Sequence, residues 1–346
     1  MSSQTAMAAF YAGQKSFRLE EVVPVAPGPG EVQIDVAYCG VCGTDMHVFH
    51  GDMDARVTTH RIIGHEMSGV IAAVGAGVEH IRTGQRVVVR PLDHCGDCPA
   101  CRAGHSHICH NLKFLGLDSN GAFQQKWTVP AHTVHVLPQN LDLKLAAMVE
   151  PLAVACHDVR RGRIAAGEIA LVIGGGPIGM LIALVAAHAG ANAIVAEINE
   201  NRLAIARKLE LETINPKDGA IGPAIMARTD GRGADVVFEV SGSQAGVEAM
   251  TAAAAARGRI VMVAINNKRP PVDLFQFFWR ELEMLGARVY EPEDYNRAIE
   301  LLESGAVDVA PLITDIRGLD EIEQAFTGLE GNSNAMKTLI QVGAGT

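Results

Sequence analysis

Four of the seven cysteines crowd into one short stretch of the chain, HCGDCPACRAGHSHIC. They are Cys95, Cys98, Cys101 and Cys109. In a reducing compartment such crowding indicates a bound metal rather than disulfides. The C-x2-C-x2-C-x7-C spacing lets four thiolates surround one tetrahedral Zn2+ without an open position, which is typical of a structural site. Three nearby histidines are less favoured substitutes for a thiolate: His105, His107 and His110.

A second set of metal-ligating residue types is dispersed along the first half of the chain. Cys42 lies in CGVCGTDMH, His65 and Glu66 lie in IIGHEMSG, and Glu150 lies in MVEPLA. A Zn2+ held by one thiolate, one imidazole and one carboxylate keeps a fourth position for water or substrate, as an electrophilic catalyst requires. A single cysteine or a Gly-His-Glu sequence is more often structural, so spacing alone leaves both interpretations open.

A glycine-rich turn follows an apolar run in the second half of the chain. Gly174, Gly176 and Gly179 in VIGGGPIG fit G-x-G-x-x-G, between the apolar residues 170–173 and an apolar helix. In a dinucleotide site the first glycine permits the tight turn, and the second lets a pyrophosphate approach the backbone. The third lets the helix pack on the strand. Because the pattern by itself is often only a turn, a second feature is needed.

Glu197 is that second feature. It ends the next apolar strand about 20 residues beyond the glycines, where a carboxylate can accept hydrogen bonds from both ribose hydroxyls of an adenosine. A carboxylate there repels a 2′-phosphate, so the sequence favours NAD over NADP. The alternative interpretation is a solvent-exposed charge at a strand end. The other predicted cofactor contacts are Pro177, Ile178, Arg202 and Ser241.

Two kinds of secondary structure must position these residues. Up to about residue 150, short apolar runs at 32–38, 69–74 and 85–89 alternate with Gly, Pro and Asp signals, which predicts a β-rich region. From residue 169 onward the strands IALVI, AIVAE, ADVVFEV and RIVMVA alternate with helical segments, which predicts a parallel, doubly wound sheet. The boundary lies near residues 151–168, and the length of 346 residues also suggests two domains.

Composition limits the partners. The net charge of -10 and the pI near 5.7 disfavour nucleic acid and anionic membranes, and favour a small neutral substrate. The polar N-terminal segment lacks the apolar core of a signal peptide, so we expect a cytoplasmic protein. Residues 169–196 carry no charge, but their glycines divide them into strand, turn and helix rather than a membrane span.

Taken in order, the motifs CGVCGTDMH, GHEMSG, GQRVVVRP, the four-cysteine lobe, GAFQQKWTVP, VEPLAVACH, GGGPIG and EVSGS resemble one family. The chain is similar over nearly its whole length to the zinc-containing medium-chain alcohol dehydrogenases, within the sorbitol, butanediol and threonine dehydrogenase branch. This resemblance implies an α/β protein with a discontinuous, β-rich GroES-like catalytic domain at 1–151 and 291–346, and a Rossmann coenzyme domain at 152–290. The terminal AMKTLIQV looks like the closing strand of the catalytic domain, and relatives are commonly homodimers or homotetramers.

The resemblance also implies roles for the dispersed residues. Cys42, His65 and Glu66 would ligate a catalytic zinc, with Glu150 beside it as a direct ligand or through water; which glutamate binds stays open. Thr44 and His47 match the family's proton relay, which carries the alcohol proton away through the nicotinamide ribose. From the residues alone, Thr44 could instead be a helix N-cap and His47 a surface histidine.

These features predict a zinc enzyme that transfers hydride between NAD and a secondary alcohol of a small polyol or diol. The polyol or diol preference follows from the branch, since RVYEPEDYNRAIELLESG resembles the butanediol dehydrogenase segment. L-threonine 3-dehydrogenase is the alternative, although no residues that would receive the charges of an amino acid are identified. A different class is a non-catalytic zinc protein that senses NAD; the presence of both Cys42 and His65 argues against it and against a zinc-free quinone reductase.

Overall fold

The computed structural model describes residues 5–266, 269–331 and 334–343. The chain forms two compact units. The first comprises Met1–Glu150, Glu291–Ser304 and Ile313–Thr346, and the second comprises Pro151–Tyr290 and Gly305–Leu312. The sequence predicted that Pro151 and residues 305–312 belong to the catalytic domain. In the structure both belong to the second unit. No break in secondary structure marks Pro151, because it lies in the first turn of a continuous helix, where proline is tolerated.

Up to Glu150 the first unit consists mainly of β-strands. In chain order its elements are β1 (Ala6–Gly13), β2 (Ser16–Val22), β3 (Glu31–Gly40), α1 (Gly43–Phe49), β4 (Arg61–Ile62), β5 (Glu66–Val74), β6 (Arg86–Val89), β7 (Leu92–Asp93), α2 (Pro99–Arg102), β8 (Lys113–Phe114), β9 (Lys126–Pro130), β10 (Val134–Val136), α3 (Leu143–Ala146) and α4 (Val149–Arg161), the last of which continues into the second unit. β1 and β2 form a hairpin, because Gln14 and Lys15 both adopt the positive φ that a two-residue turn requires.

The second unit alternates strands with helices, as the sequence predicts. Its elements are β11 (Ile169–Ile173), α5 (Pro177–His188), β12 (Asn192–Ala196), α6 (Glu200–Lys208), β13 (Glu212–Ile214), α7 (Ile221–Arg228), β14 (Ala234–Glu239), α8 (Gln244–Ala253), β15 (Ala254–Met262), α9 (Leu274–Arg280) and β16 (Glu283–Gly286). The strands form one parallel sheet in the order β13-β12-β11-β14-β15-β16. This is the strand order 3-2-1-4-5-6 of a Rossmann fold, so the predicted fold of this region is confirmed.

After the second unit the chain returns to the first. The returning elements are α10 (Pro292–Glu303), β17 (Ile313–Gly318), α11 (Ile322–Leu329) and β18 (Lys337–Gln341). Short 3-10 helices lie at Ser106–Ile108, Ala131–Thr133, Ala310–Leu312 and Leu319–Glu321. β18 inserts between β17 and β3, so the end of the chain becomes an interior strand of a large mixed sheet ordered β10-β6-β5-β3-β18-β17.

The pairing around the end of β3 determines where the first unit can hold functional groups. Gly40 pairs with Glu66 of β5 on one side and with Leu339 of β18 on the other. A Cβ at position 40 would lie 2.1 Å from Oε2 of Glu66, so only glycine leaves room for this carboxylate. Three strands distant in sequence therefore bring their ends together around Glu66.

The core of the second unit is apolar and continuous. It packs strand residues such as Leu171, Ile194 and Val237 against helix residues such as Ile225 and Met250. Within the described ranges, none of the helices combines the length and the apolar character needed to cross a bilayer.

Candidate active site and metal centres

The four cysteines of the lobe converge in the first unit. Cys95 follows β7, Cys98 is the N-cap of α2, Cys101 lies within α2, and Cys109 follows a 3-10 helix. Their sulfur atoms all lie within 4.8 Å of one another. The Sγ–Sγ distance is 3.8 Å between Cys98 and Cys109 and 3.5 Å between Cys109 and Cys95. Tetrahedral Zn–S bonds of about 2.3 Å require ligand separations of about 3.8 Å, so the sulfur cage has the size of a zinc site.

Backbone groups of the lobe are directed at the sulfur atoms. The N–H of Cys98 donates to Sγ of Cys95 at 3.4 Å, and that of Asn111 donates to Sγ of Cys109 at 3.3 Å. Hydrogen bonds from the backbone of Asp97 and Cys98 lower the pKa of Cys95 to about 6. Burial and the neighbouring thiols raise the pKa of Cys101 to about 12. The backbone of the lobe thus favours a thiolate at Cys95, whereas a thiolate at Cys101 needs a nearby cation.

A second cluster gathers Cys42, His65 and Glu66. One ligand atom from each lies within 4.8 Å of the others. Cys42 is the half-buried N-cap of α1, His65 immediately precedes β5, and Glu66 is the first residue of β5. His65 and Glu66 are 2% and 1% exposed, so this donor set lies in the interior. One thiolate, one imidazole and one carboxylate fit a zinc ion that keeps a position open.

Asp45 lies behind this cluster and connects two of its members. As the third residue of α1, it accepts a hydrogen bond from the backbone N–H of Cys42 at 2.9 Å, which completes a capping box. Its Oδ1 lies 3.5 Å from Nδ1 of His65. Burial lowers the pKa of His65, but Asp45 and Cys42 outweigh burial and raise it well above its ordinary value.

Both facing atoms of the Asp45–His65 contact are buried, and neither has a hydrogen bond at ordinary distance to the described residues. A carboxylate beside one ring nitrogen of a histidine orients the ring and leaves the other nitrogen for a metal. The arrangement therefore fits a metal-ligating His65 supported by Asp45.

Lys337, the first residue of β18, contributes a positive charge to the cluster. Its Nζ donates to both carboxylate oxygens of Glu66 at 2.8 and 2.6 Å and to the carbonyl of Val41 at 3.2 Å. Lys337 is only 3% exposed. Burial lowers the pKa of Lys337, but the negative charges of Glu66, Cys42 and Glu150 outweigh burial and raise it above its ordinary value. The lysine is therefore protonated. Glu66 therefore has a cationic partner within the chain itself.

The remaining predicted catalytic residues lie around the cluster. Glu150 is buried in the first turn of α4, outside the Cys42, His65 and Glu66 group. Thr44 is half-buried and lies in the first turn of α1; because the N-cap is Cys42, the interpretation of Thr44 as an N-cap is wrong. The His47 side chain is 44% exposed, and its Nδ1 lies 3.1 Å from Oδ2 of Asp52. No hydrogen bond joins Thr44 to His47 in the part of the chain that the structure describes.

The glycine turn of the second unit has the geometry that a dinucleotide requires. Gly174 adopts φ +107°, which favours glycine, and a Cβ on Gly179 would lie 1.9 Å from the carbonyl oxygen of Gly174. Gly176 is the N-cap of α5, and Pro177 is its first residue, followed by Ile178. At Gly176 the nearest heavy atom to an added Cβ is 3.9 Å away, so the backbone there is open to a ligand. An open helix N-terminus is suited to a phosphate.

Glu197 follows β12 beside this turn and is only 6% exposed, so the interpretation of a solvent-exposed charge is wrong. Its carboxylate accepts hydrogen bonds from the backbone N–H groups of Gly175 at 2.9 Å, Ile198 at 2.7 Å and Asn199 at 2.9 Å. Nη1 of Arg202 lies 3.6 Å from Oε2. The carboxylate is thus fixed against the glycine turn, with one cation beside it.

Ser241 is positioned by a buried acid at the end of the neighbouring strand. Glu239 of β14 accepts hydrogen bonds from the Ser241 backbone N–H at 3.0 Å and its hydroxyl at 2.5 Å. A Cβ on Gly174 would lie 2.9 Å from the Ser241 nitrogen. Ser241 therefore forms one wall of the glycine turn.

The sequence did not predict three residues that position the site: Asp45, Lys337 and Glu239. The Cys-x-x-Asp spacing at the start of α1 is a capping-box signal that could have revealed Asp45. A single lysine beginning the apolar strand KTLIQ is a signal for a buried ion pair, although its partner is not visible in the sequence. Glu239 likewise ends an apolar strand, as Glu197 does.

Comparison with known proteins gives the same architecture. The family described as alcohol dehydrogenase GroES-like domain matches residues 28–139, and the family described as zinc-binding dehydrogenase matches residues 177–304. The predicted combination of a GroES-like and a Rossmann domain is thereby confirmed. A putative zinc-binding dehydrogenase from Sinorhizobium meliloti 1021, solved with NADP, has a TM-score of 0.92 at 29% identity, covering 98% of this chain and 99% of that one.

Two curated relatives are similar over most of the chain. The 2-dehydro-3-deoxy-L-galactonate 5-dehydrogenase of Pseudoalteromonas atlantica is 54% identical, covering 97% of this chain and 99% of the relative. The L-threonine 3-dehydrogenase of Pyrococcus furiosus is 35% identical, covering 89% of this chain and 90% of the relative. With both family matches, these similarities make the chain an oxidoreductase that uses zinc and a nicotinamide cofactor. It belongs to the zinc-containing medium-chain alcohol dehydrogenase family.

Proposed function

We propose that this protein transfers hydride between NAD and a secondary alcohol group of a small polyol, diol or polyhydroxylated acid. The observation that carries the proposal is the 54% identity, along nearly the whole chain, to an enzyme named for dehydrogenation of a sugar acid at carbon 5. The buried Cys42, His65 and Glu66 cluster supports it, because these donors suit a metal with an open position. The first unit would be the catalytic domain and the second the coenzyme domain.

The residues of the chain divide the work. Cys42, His65 and Glu66 would hold a zinc ion, which would supply the Lewis acidity that lowers the pKa of an alcohol hydroxyl. Asp45 orients His65, and Lys337 holds the Glu66 carboxylate, so the donors stay fixed during turnover. Thr44 would accept the alcohol proton while its own hydroxyl proton passes to the nicotinamide ribose, and His47 would take that proton from the ribose and release it to solvent, which agrees with the exposure of the His47 ring.

Glu150 has a different place in this proposal. It lies outside the three-residue group, and its charge adds to the field at Lys337. We therefore assign Glu66 as the third ligand and Glu150 as an alternative ligand or a ligand through water. With the cysteine lobe, this gives one catalytic and one structural zinc per chain.

A substrate panel tests the function directly. Sugar alcohols, vicinal diols, aldonic acids and L-threonine are each offered with NAD, and formation of the reduced cofactor is followed by absorbance. The proposal expects the highest kcat/KM for a polyhydroxylated substrate. L-threonine 3-dehydrogenase activity is the second candidate, because the Pyrococcus furiosus enzyme of that name is 35% identical. A higher kcat/KM for L-threonine than for the polyhydroxylated substrates would favour this second candidate. Zinc-loaded protein that binds NAD but oxidises none of the panel would favour the NAD-sensing class.

Glu197 supports the choice of NAD over NADP. Its buried carboxylate lies beside the glycine turn, where we expect the adenosine ribose, so it would repel a 2′-phosphate, and Arg202 would partly offset that repulsion. We expect wild type to prefer NAD at least tenfold in kcat/KM, about 1.4 kcal/mol. Glu197→Gln keeps the side-chain size but removes the charge, so it should reduce the preference for NAD over NADP. Arg202→Ala removes the cation beside Glu197, so it should increase that preference. Equal use of both cofactors by wild type, or an unchanged ratio in Glu197→Gln, would reject the assignment.

The second unit supports the expectation of a homo-oligomer. Phe275, Phe278 and Trp279 on α9 are 61%, 78% and 69% exposed, and β16 is the edge strand of its sheet. Exposed aromatic clusters and open strand edges are typical of association surfaces. Light scattering should give a dimer or tetramer for wild type and a smaller species for Trp279→Glu; a monomeric wild type would contradict the proposal. Cytoplasmic location stays a prediction.

A further inference from the structure

Two histidines of the cysteine lobe face a glutamate from the returning part of the chain. His105 and His107 flank the start of the 3-10 helix Ser106–Ile108, and Glu291 is the N-cap of α10. One donor atom from each of the three residues lies within 4.8 Å of the others. All three belong to the first unit, and none takes part in the two zinc clusters described above.

The distances in this group are those of a long hydrogen bond between His105 and Glu291, and they also match the separation of ligands around one metal ion. Oε1 of Glu291 lies 3.4 Å from Nδ1 of His105 and 3.4 Å from Nδ1 of His107. Nitrogen–oxygen hydrogen bonds are usually about 2.7 to 3.2 Å. Zn–N and Zn–O bonds of about 2.0 to 2.1 Å place tetrahedral ligands about 3.4 Å apart.

Contacts at the start of α10 hold Glu291 in place. Asp294 accepts the backbone N–H of Glu291 at 2.8 Å, which fixes the start of α10. Tyr295 donates its hydroxyl to the carbonyl of Val89 at 3.0 Å, so α10 is anchored to β6. The side chains of His107 and Glu291 are 9% and 13% exposed, but that of His105 is 57% exposed. An ion can therefore reach a largely preformed site from solvent.

We propose that His105, His107 and Glu291 form a third metal site, for Zn2+ or another divalent ion that prefers imidazole ligands. Two imidazoles and one carboxylate match the donor preference of Zn2+, and water completes the fourth position. The site joins the cysteine lobe to the start of α10, segments separated by 186 residues. Because it is open to solvent and has only three protein ligands without a thiolate, it binds the ion more weakly than the two cysteine-containing clusters.

The test is a calorimetric titration of ZnCl2 into the purified full-length protein, dialysed so that it keeps only tightly bound zinc. Wild type should show one further binding event per chain, together with a rise in Tm on addition of zinc. His105→Ala and Glu291→Gln should each weaken the event at least roughly tenfold, since even loss of a residue supporting a ligand has that effect. They should also abolish the rise in Tm.

His110→Ala is the matched control, because His110 is an exposed histidine of the same lobe that lies outside the group. It should bind the additional zinc as wild type does. The proposal is overturned if wild type shows no additional event, if the event persists unchanged in both variants, or if His110→Ala removes it to the same extent.

Discussion

The cysteine lobe and the Cys42, His65 and Glu66 cluster both gather donors for one ion, but by different routes. All four sulfur atoms of the lobe come from residues 95–109, and nearby backbone N–H groups stabilise them. The second cluster takes its donors from two segments and its counter-charge from β18, since Lys337 is 271 residues away from Glu66. The lobe is thus a local structure that needs its metal, whereas the second cluster is held by the tertiary fold.

This contrast has a physical consequence for each cluster. Four thiolates without an ion repel one another, so loss of the metal should weaken the lobe itself. The acidic Glu66 already has a buried cationic partner, and Asp45 already braces Cys42 and His65. Loss of its metal should therefore remove chemistry and leave the fold. Variants in the Cys42, His65 and Glu66 cluster should mainly affect activity, and variants in the cysteine lobe should mainly affect stability.

The largest expected effect on activity follows from His65→Ala. Removal of a ligand should eliminate Lewis-acid catalysis, and we expect kcat/KM to fall at least about thousandfold, equivalent to about 4 kcal/mol. NAD affinity measured by fluorescence should stay within about twofold of wild type, because the glycine turn and Glu197 belong to the other unit. The control is His80→Ala, an exposed histidine outside both clusters. Simultaneous loss of NAD binding would contradict the separation of roles.

The largest expected effect on stability follows from Cys98→Ser. We expect the free energy of unfolding to fall by at least about 3 kcal/mol, because a structural zinc contributes directly to folding. The protein that remains folded should retain turnover. Cys156→Ser replaces a buried cysteine outside both clusters and controls for the substitution itself. A stable but inactive Cys98→Ser protein would mean that the lobe has a catalytic rather than a structural role.

An intermediate effect is expected for Lys337→Met, and it depends on the metal. Removing one partner of a buried ion pair costs about 3 to 5 kcal/mol when the remaining charge is left uncompensated, and less when a second cation lies beside it. In wild type the catalytic zinc can compensate Glu66, whereas in a His65→Ala background it cannot. Denaturant unfolding should therefore show a larger cost of Lys337→Met in the His65→Ala background. Equal costs in both backgrounds would show that Lys337 and the metal do not share Glu66.

The smallest effect is expected for His47→Gln. His47 is half exposed and contacts only the surface residue Asp52 among the described hydrogen bonds, so its loss should leave stability unchanged. As a relay residue it should lower kcat about tenfold to a hundredfold, with partial rescue by small bases such as imidazole. Asp52→Asn tests whether the contact between Asp52 and the His47 ring contributes to kcat. Unchanged kcat in His47→Gln would leave His47 as a surface residue.

Much of this fold could be predicted because its signals are local. The glycine turn, the alternating strands and helices, and the cysteine spacing each lie within a few dozen residues. The motifs around Cys42 and His65 indicated the catalytic donors through a family resemblance. Asp45 could have been found from the spacing of a capping box, which is also local.

The remaining features depend on pairing between distant strands. The contact between Lys337 and Glu66 requires the register of β18 on β3 and of β3 on β5, which no single stretch of sequence specifies. The burial of Glu197 was not expected either, because the backbone N–H groups that satisfy it belong to a folded turn. The place of 305–312 in the second unit had no sequence signal at all.

The central claim is that two zinc ions have separate tasks, and a zinc count made together with activity and unfolding measurements tests it most directly. After removal of weakly bound metal, wild type should contain about two zinc ions per chain, and His65→Ala and folded Cys98→Ser about one each. The His65→Ala protein should be inactive, and the Cys98→Ser protein should be active but much less stable than wild type. One zinc per chain in wild type, or loss of activity and stability together in both variants, would contradict the account.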